Sequence, residues 1–185
     1  MAREGGDGYD RSIRLLAVEK ITDQTILTDI AKDGCYDENV RMAAVEIING
    51  NVVLADIAKN AYVNTAHGLI TSFGENRVVV YAVQRISDQD ILADIAKDKS
   101  YYLFVRMTAV EWSNDQSRLA DIANNAQINT TSEIDTSSGI STLDKYKINN
   151  YAIRRMTDKT LLSDLAQNAK KQDVHEAAEK RLGEL

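Results

Sequence analysis

Proline is absent from all 185 residues, and cysteine occurs once, at Cys35. Without proline nothing forces a break in a helix interior, where that residue costs about 3 kcal/mol. A lone thiol excludes an internal disulfide framework. The two histidines, His67 and His175, are far apart, and no His–Cys or His–carboxylate spacing matches a metal site. No run of about 18 apolar residues is present, so no membrane span is expected. No basic-then-apolar leader opens the chain, and a cytoplasmic location is the expectation. Lys and Arg number 22 against 28 Asp and Glu, a net charge of −6, which argues against a duplex nucleic-acid binder. No Gly-rich phosphate loop and no nucleophile elbow occur. The chain therefore reads as non-enzymatic, with no cofactor and no metal. At 44% hydrophobic and 27% charged it is an ordinary globular composition.

What the chain does have is an internal repeat. Ala17-Val-Glu-Lys-Ile-Thr-Asp-Gln-Thr-Ile-Leu-Thr-Asp-Ile-Ala-Lys32 recurs as Ala82-Val-Gln-Arg-Ile-Ser-Asp-Gln-Asp-Ile-Leu-Ala-Asp-Ile-Ala-Lys97, and with drift from Ala44, Ala109 and Ala152. A partial copy begins at Ala178. These anchor alanines are separated by 27, 38, 27, 43 and 26 residues. The alternation of short and long spacing indicates an ancestral pair of repeats copied whole. The long linkers open alike, Asn60-Ala-Tyr-Val-Asn-Thr65 and Asn125-Ala-Gln-Ile-Asn-Thr130. The columns are tight. Ten residues after the anchors stand Leu27, Leu54, Leu92, Leu119 and Leu162. Fourteen after, the residue is always alanine. Four before stand Ile13, Val40, Val78, Val105, Ile148 and Val174.

Ile13, Leu16, Ala17 and Ile21 form one helical stripe, and Ile26, Leu27, Ile30 and Ala31 form the next. Asp23, Asp88, Asp115 and Asp158 sit between the stripes, where a carboxylate caps a helix N-terminus. Asn49-Gly50 holds that place in the second copy. Each repeat therefore reads as helix, tight turn, helix. The spacing predicts helices over about 11–21, 24–33, 39–48, 51–62, 76–86, 89–99, 103–113, 116–127, 146–156, 159–169 and 173–183. Segments of about ten residues are marginal alone and gain stability by stacking.

Val40-Arg41-Met-Ala-Ala44-Val45 and Val105-Arg106-Met-Thr-Ala109-Val110, each followed by an Asp-x-x-x-Leu-x-Asp-Ile-Ala helix or its variant, resemble the HEAT-like repeat family. The likeness is to its compact microbial repeats of about 26 residues, and it spans about 10–183 less two insertions. Typical HEAT repeats often carry a proline in the first helix, which this chain lacks. The resemblance implies an all-α fold, a right-handed α-α superhelix of the armadillo-like kind with five helix pairs plus a C-terminal capping helix. It implies a protein–protein scaffold presenting a concave helical surface and edge loops. It also carries one alternative, a phycobilin-lyase-like protein handling a chromophore or small molecule; a column of aspartates, Asp29, Asp56, Asp94, Asp121 and Asp164, offers another, an acidic inhibitor that binds a basic protein surface. DNA glycosylases of this type share the fold alone, and the negative charge opposes their substrate.

Residues 1–10 read as a flexible lead, and 11–185 as one repeat domain with insertions at about 64–76 and 129–144. In the first insertion Leu69, Ile70 and Phe73 suit a short helical turn. The second is Ser/Thr-rich and reads as a mobile loop. Both follow a second helix, so both should leave from the same edge. Tyr101, Tyr102, Phe104 and Trp112 are the candidate partner-binding residues. The turn Ser100-Tyr-Tyr-Leu-Phe-Val105 replaces the polar Cys35-Tyr-Asp-Glu-Asn-Val40, and Trp112 stands in a column of Lys20, Arg85, Arg155 and Arg181. Asp29, Asp56, Asp94, Asp121 and Asp164 form an acidic column on the expected concave face. The favoured role for that column is structural, through pairs with Lys32, Lys59 and Lys97 one turn on, or with Arg41 and Arg106. A polar surface role is expected for His175, which takes the place of Arg41 and Arg106. Cys35 reads as an incidental thiol. The partner is expected to be another protein, and the terminal helices offer a route to self-association.

Overall fold

The computed structural model describes residues 6–63, 76–127 and 148–185, with side chains from residue 11 onward. Both insertions, with His67, lie almost wholly outside these residues; Asn76, the last of the first insertion, is buried ahead of a helix. The described residues form eleven helices and no strand: α1 (Gly6–Val18), α2 (Gln24–Lys32), α3 (Glu38–Ile47), α4 (Asn51–Asn60), α5 (Arg77–Gln84), α6 (Gln89–Lys97), α7 (Leu103–Trp112), α8 (Gln116–Asn125), α9 (Ile148–Arg155), α10 (Lys159–Asn168) and α11 (Gln172–Glu184).

Helix starts follow the sequence. The carboxylates of Asp23, Asp88, Asp115 and Asp158 each accept from two backbone amides of the first turn. Gly50, at φ +112, turns the chain where the second copy has no aspartate. From α1 to α10 the ends come earlier than the pattern predicts, whereas α11 runs to Glu184. In α1 the last residues tighten into three-residue bonds, Lys20 N–H to Ala17 O and Ile21 N–H to Val18 O. At its other end α1 starts at Gly6, ahead of the predicted start at about 11, so residues 6–10 are helical.

Packing alternates. Odd-numbered helices pack in sequence, α1 on α3 through to α9 on α11, and even-numbered helices pack from α2 on α4 through to α8 on α10. The two rows meet most extensively between the second helix of one repeat and the first helix of the next, as at α2 on α3 and α10 on α11. The core is the repeated leucine, isoleucine and alanine columns. Leu27, Leu54, Leu92, Leu119 and Leu162 are all buried, each contributing about 1.5–3 kcal/mol. The first copy departs from the expected stripe. Val18 is buried, but Ile13 and Leu16 are 54% and 58% exposed and Ala17 is exposed. Among the described residues no earlier helix lies against them.

Amide side chains staple successive turns. Gln24 Oε1 accepts from Asn49 N–H, Asn51 Oδ1 from Ser87 N–H, Gln89 Oε1 from Asn114 N–H, and Gln116 Oε1 from Thr157 and Asp158 N–H. Each donor amide lies in the next repeat's inter-helix turn, so the staples fix the stagger between repeats.

Candidate functional site

Between α4 and α6 lies a groove of about 420 Å³. Its apolar lining is Val52 and Ala55 from α4, Ile91 and Ile95 from α6, and the ring of Tyr101 from the turn that follows. Val52 is 73% exposed, unusual for a β-branched residue in a packed array. Asn51 opens α4 and is held by Ser87 N–H through its Oδ1, which leaves Val52 at the second helical position.

Charged groups around this groove are largely matched. Lys59 Nζ stands 5.0 Å over the Tyr101 ring and 3.4 Å from Asp98. Arg118 meets Asp90 at 2.6 Å, and Lys97 joins Asp94 at 3.1 Å to Asp121 at 2.7 Å. Burial raises the Tyr101 hydroxyl's pKa, and Asp98, Asp56 and Asp94 raise it further. The phenol therefore stays protonated, and the field at its position is negative. For Lys97, burial opposes the charge, but Asp121 and Asp94 outweigh it and hold the pKa above its ordinary value.

The aspartate column is divided. Lys32 reaches forward to Asp56, and Lys97 to Asp121, each 24 residues on and one even-numbered helix away. Of the expected one-turn pairs, only Asp94 with Lys97 forms; Lys32 turns from Asp29 to Asp56, and Lys59 turns from Asp56 to Asp98. Asp56, Asp121 and Asp164 also accept from Asn60, Asn125 and Asn168 four residues on, at 2.6, 2.7 and 2.8 Å. Asp29 and Asp164 remain exposed. The uniform acidic strip read from the column is thus interrupted by lysines from the preceding repeat.

Arg41 and Arg106 do not meet the aspartates. Arg41 donates from Nε to Ala31 O and from Nη2 to Tyr62 O, both at 3.0 Å. Arg106 repeats this on Ala96 O at 2.9 Å and Gln127 O at 2.7 Å. Each arginine ties the last turn of one even-numbered helix to the chain leaving the next, the root of an insertion. Tyr62 N–H and Gln127 N–H complete the joint on Lys32 O and Lys97 O, both at 3.0 Å. The two insertions therefore leave from equivalent places. In the same column Asn149 donates to Ala123 O, and both ring nitrogens of His175 face carbonyls, Ala166 O at 3.0 Å and Ala169 O at 2.7 Å. His175 is thus a helix-end clamp, not the surface group its sequence position implied.

The four aromatic candidates do not form one surface. Phe104 is 3% exposed and belongs to the core, and Tyr102 stacks on it with centroids 5.7 Å apart. The apolar replacement in that turn packs inward instead of lying on the surface. Tyr101 faces the α4–α6 groove. Trp112 is 40% exposed at the far end of α7, about 15 Å along the axis from Tyr102 at 1.5 Å per residue. Ser113 is buried with its hydroxyl donating to Ala109 O at 2.8 Å, so the hydroxyl is satisfied without help from the indole. Cys35 is exposed, and its hydrogen bond with Asp33 raises the thiol's pKa, the reverse of an activated nucleophile.

Comparison with protein-family models, with curated proteins and with solved structures found no match. The groove, the clamps and the staples rest on this chain's own geometry. Sequence reasoning missed Val52 and Ile91 as groove residues and the glutamine staples altogether. The staples had a signal: Gln24, Asn51, Gln89 and Gln116 all stand seven residues after an anchor alanine.

Proposed function

We propose that the chain is a HEAT-like solenoid with right-handed superhelical sense, acting as a non-enzymatic scaffold that binds another protein in the α4–α6 groove. The observation that carries this reading is the apolar groove itself. Val52 stands exposed beside half-buried Ile91 and the Tyr101 ring, under a rim of Asp94, Asp98 and Lys59. That arrangement of an aromatic and aliphatic centre within a polar rim is the usual anatomy of a protein-binding site. The polar columns elsewhere are engaged in holding repeats together, and no unequal pair of carboxylates suited to acid–base chemistry stands out in them. A lone exposed thiol fits a reducing compartment and so a cytoplasmic setting.

The test compares co-purification from the source cell by wild type, Val52→Arg and Glu46→Arg. Both changed residues are exposed, and because Glu46 lies 3.8 Å from Arg85, thermal melts of all three accompany the comparison. A protein held by wild type and Glu46→Arg but lost from Val52→Arg supports the groove. Retention by Val52→Arg, or no specific protein with any form, overturns it.

A further inference from the structure

Val52 is not a residue that the repeat requires. Its column holds Thr25, Asp90, Ser117 and Thr160 in the other copies, and only the copy that walls the α4–α6 groove is apolar there. Charge marks the same place. The ion pairs of this region set Asp90, Asp94, Asp98 and Asp121 against Lys59, Lys97 and Arg118. Arg118 matches Asp90 and Lys59 matches Asp98, but Lys97 alone serves both Asp94 and Asp121, so the group carries a negative charge in excess. Asp121 is 35% exposed and also accepts from Asn125. Asp94 is 77% exposed and lies farther from the shared lysine, at 3.1 Å against 2.7 Å. The excess is therefore presented to solvent at Asp94. That carboxylate stands on the lip of the apolar floor, between Ile91 and Ile95 in the chain. Asp98 follows one turn on, about 6 Å along the axis. The Tyr101 phenol on the same groove feels the same sign: burial raises its pKa, and Asp98, Asp56 and Asp94 raise it further.

We infer that the α4–α6 groove takes a short segment of a partner protein in which a large aliphatic side chain stands within two residues of a lysine or arginine. The aliphatic group lies against Val52, Ala55, Ile91 and Ile95, and the cation meets Asp94, one turn before Asp98. The inference rests on the proposed function and names the chemistry of the partner. A groove of about 420 Å³ admits one or two side chains of such a segment. Charge complementarity selects a basic one, and the chain's net charge of −6 opposes a nucleic acid or an anionic lipid surface at the same place.

The test pans a displayed library of random seven-residue peptides on the immobilised full chain and titrates the enriched peptides by fluorescence anisotropy. Enriched sequences should share an aliphatic residue within two positions of lysine or arginine. Val52→Ser, a residue type its column already accepts at Ser117, should weaken them about fivefold. Asp94→Lys should weaken them about tenfold at low salt, and should instead favour the same peptides with their cation changed to glutamate. Raising salt to about 0.5 M should shrink the Asp94 effect and spare the Val52 effect. Val52 and Asp94 are both exposed, so both variants should keep the wild-type melting curve, which separates lost binding from lost fold. Enriched peptides that need Val52 but carry acidic or uncharged residues, or that bind Asp94→Lys as well as wild type, overturn the inference and leave the groove reading standing. Peptides indifferent to Val52→Ser, or no enrichment, overturn the inference together with that reading. Sedimentation showing a dimer that Val52→Arg converts to monomer also overturns it, since a second copy then occupies the groove.

Discussion

Arg106 donates to the carbonyl of Gln127, 21 residues on, just as Arg41 donates to that of Tyr62 at the same separation. Arg106 is fully buried and also donates to Ala96 O. A buried cation is tolerated only when its donors are met, and here backbone carbonyls meet them. Arg106→Ala leaves those carbonyls short of a partner, at about 1–3 kcal/mol each. Arg106→Lys recovers part of that loss, because an ammonium lacks the planar fork that reaches both oxygens. Urea unfolding should rank wild type above Lys and Lys above Ala. Burial is also the largest influence on Arg41, lowering its pKa against Glu38 and Asp33, which raise it.

Gly34 and Tyr62 are a matched pair. A Cβ on Gly34 would clash with the ring of Tyr62, which lies under the Arg41 guanidinium at 5.8 Å. In the second unit Gln127 replaces Tyr62, and Lys99 replaces Gly34. Gly34→Ala should therefore cost about 1 kcal/mol, by displacing the 55% exposed ring from Arg41. Adding Tyr62→Gln should remove most of that cost. A double-mutant cycle in denaturant measures the coupling, and additive effects would contradict the pairing.

Phe104 and Trp112 should separate cleanly. Phe104→Ser removes a buried ring and leaves a cavity, at about 3–5 kcal/mol. Trp112→Ala, at an exposed helix end, should stay within about 0.5–1 kcal/mol of wild type. Thermal melts of the two variants decide it. A large loss at Trp112 would mean that its indole supports packing.

Acid should weaken the forward lysine–aspartate ties. The Lys32 hydrogen bond is the main cause holding Asp56 below the usual carboxylate value. For Asp121 burial pushes upward, but Lys97 and Asn125 outweigh it, and the net shift is again downward. Carboxylates with lowered folded values stabilise above the unfolded value of about 3.9 and lose that stabilisation as pH falls through the folded value. Both pairs are partly exposed, so each is worth about 0.2–1 kcal/mol, and less at high salt. Asp56→Asn/Asp121→Asn should lower Tm at pH 7 and narrow the gap to wild type near pH 3. A constant gap across that range would show that the pairs do not titrate with folding.

Much of this chain was legible without coordinates. Eleven helices, the aspartate caps and the buried leucine column follow from periodicity and capping chemistry, which act within a few residues. What sequence could not decide is which copy of a column finds a neighbour. Ile13 and Val40 share a column, yet one is exposed and the other buried, because burial belongs to the pair of helices, and among the described residues Val40 has α2 against it while Ile13 has no such partner. Phe104 looked like a surface anchor for the same reason. Its column is polar in the earlier copy, and only three-dimensional packing shows the ring turned into the core. Arg41, Arg106 and His175 carry charge or polarity that local reasoning assigns to water or to aspartate. Tertiary structure sends them to backbone carbonyls, because helix ends buried by stacking need donors that the helices themselves cannot supply.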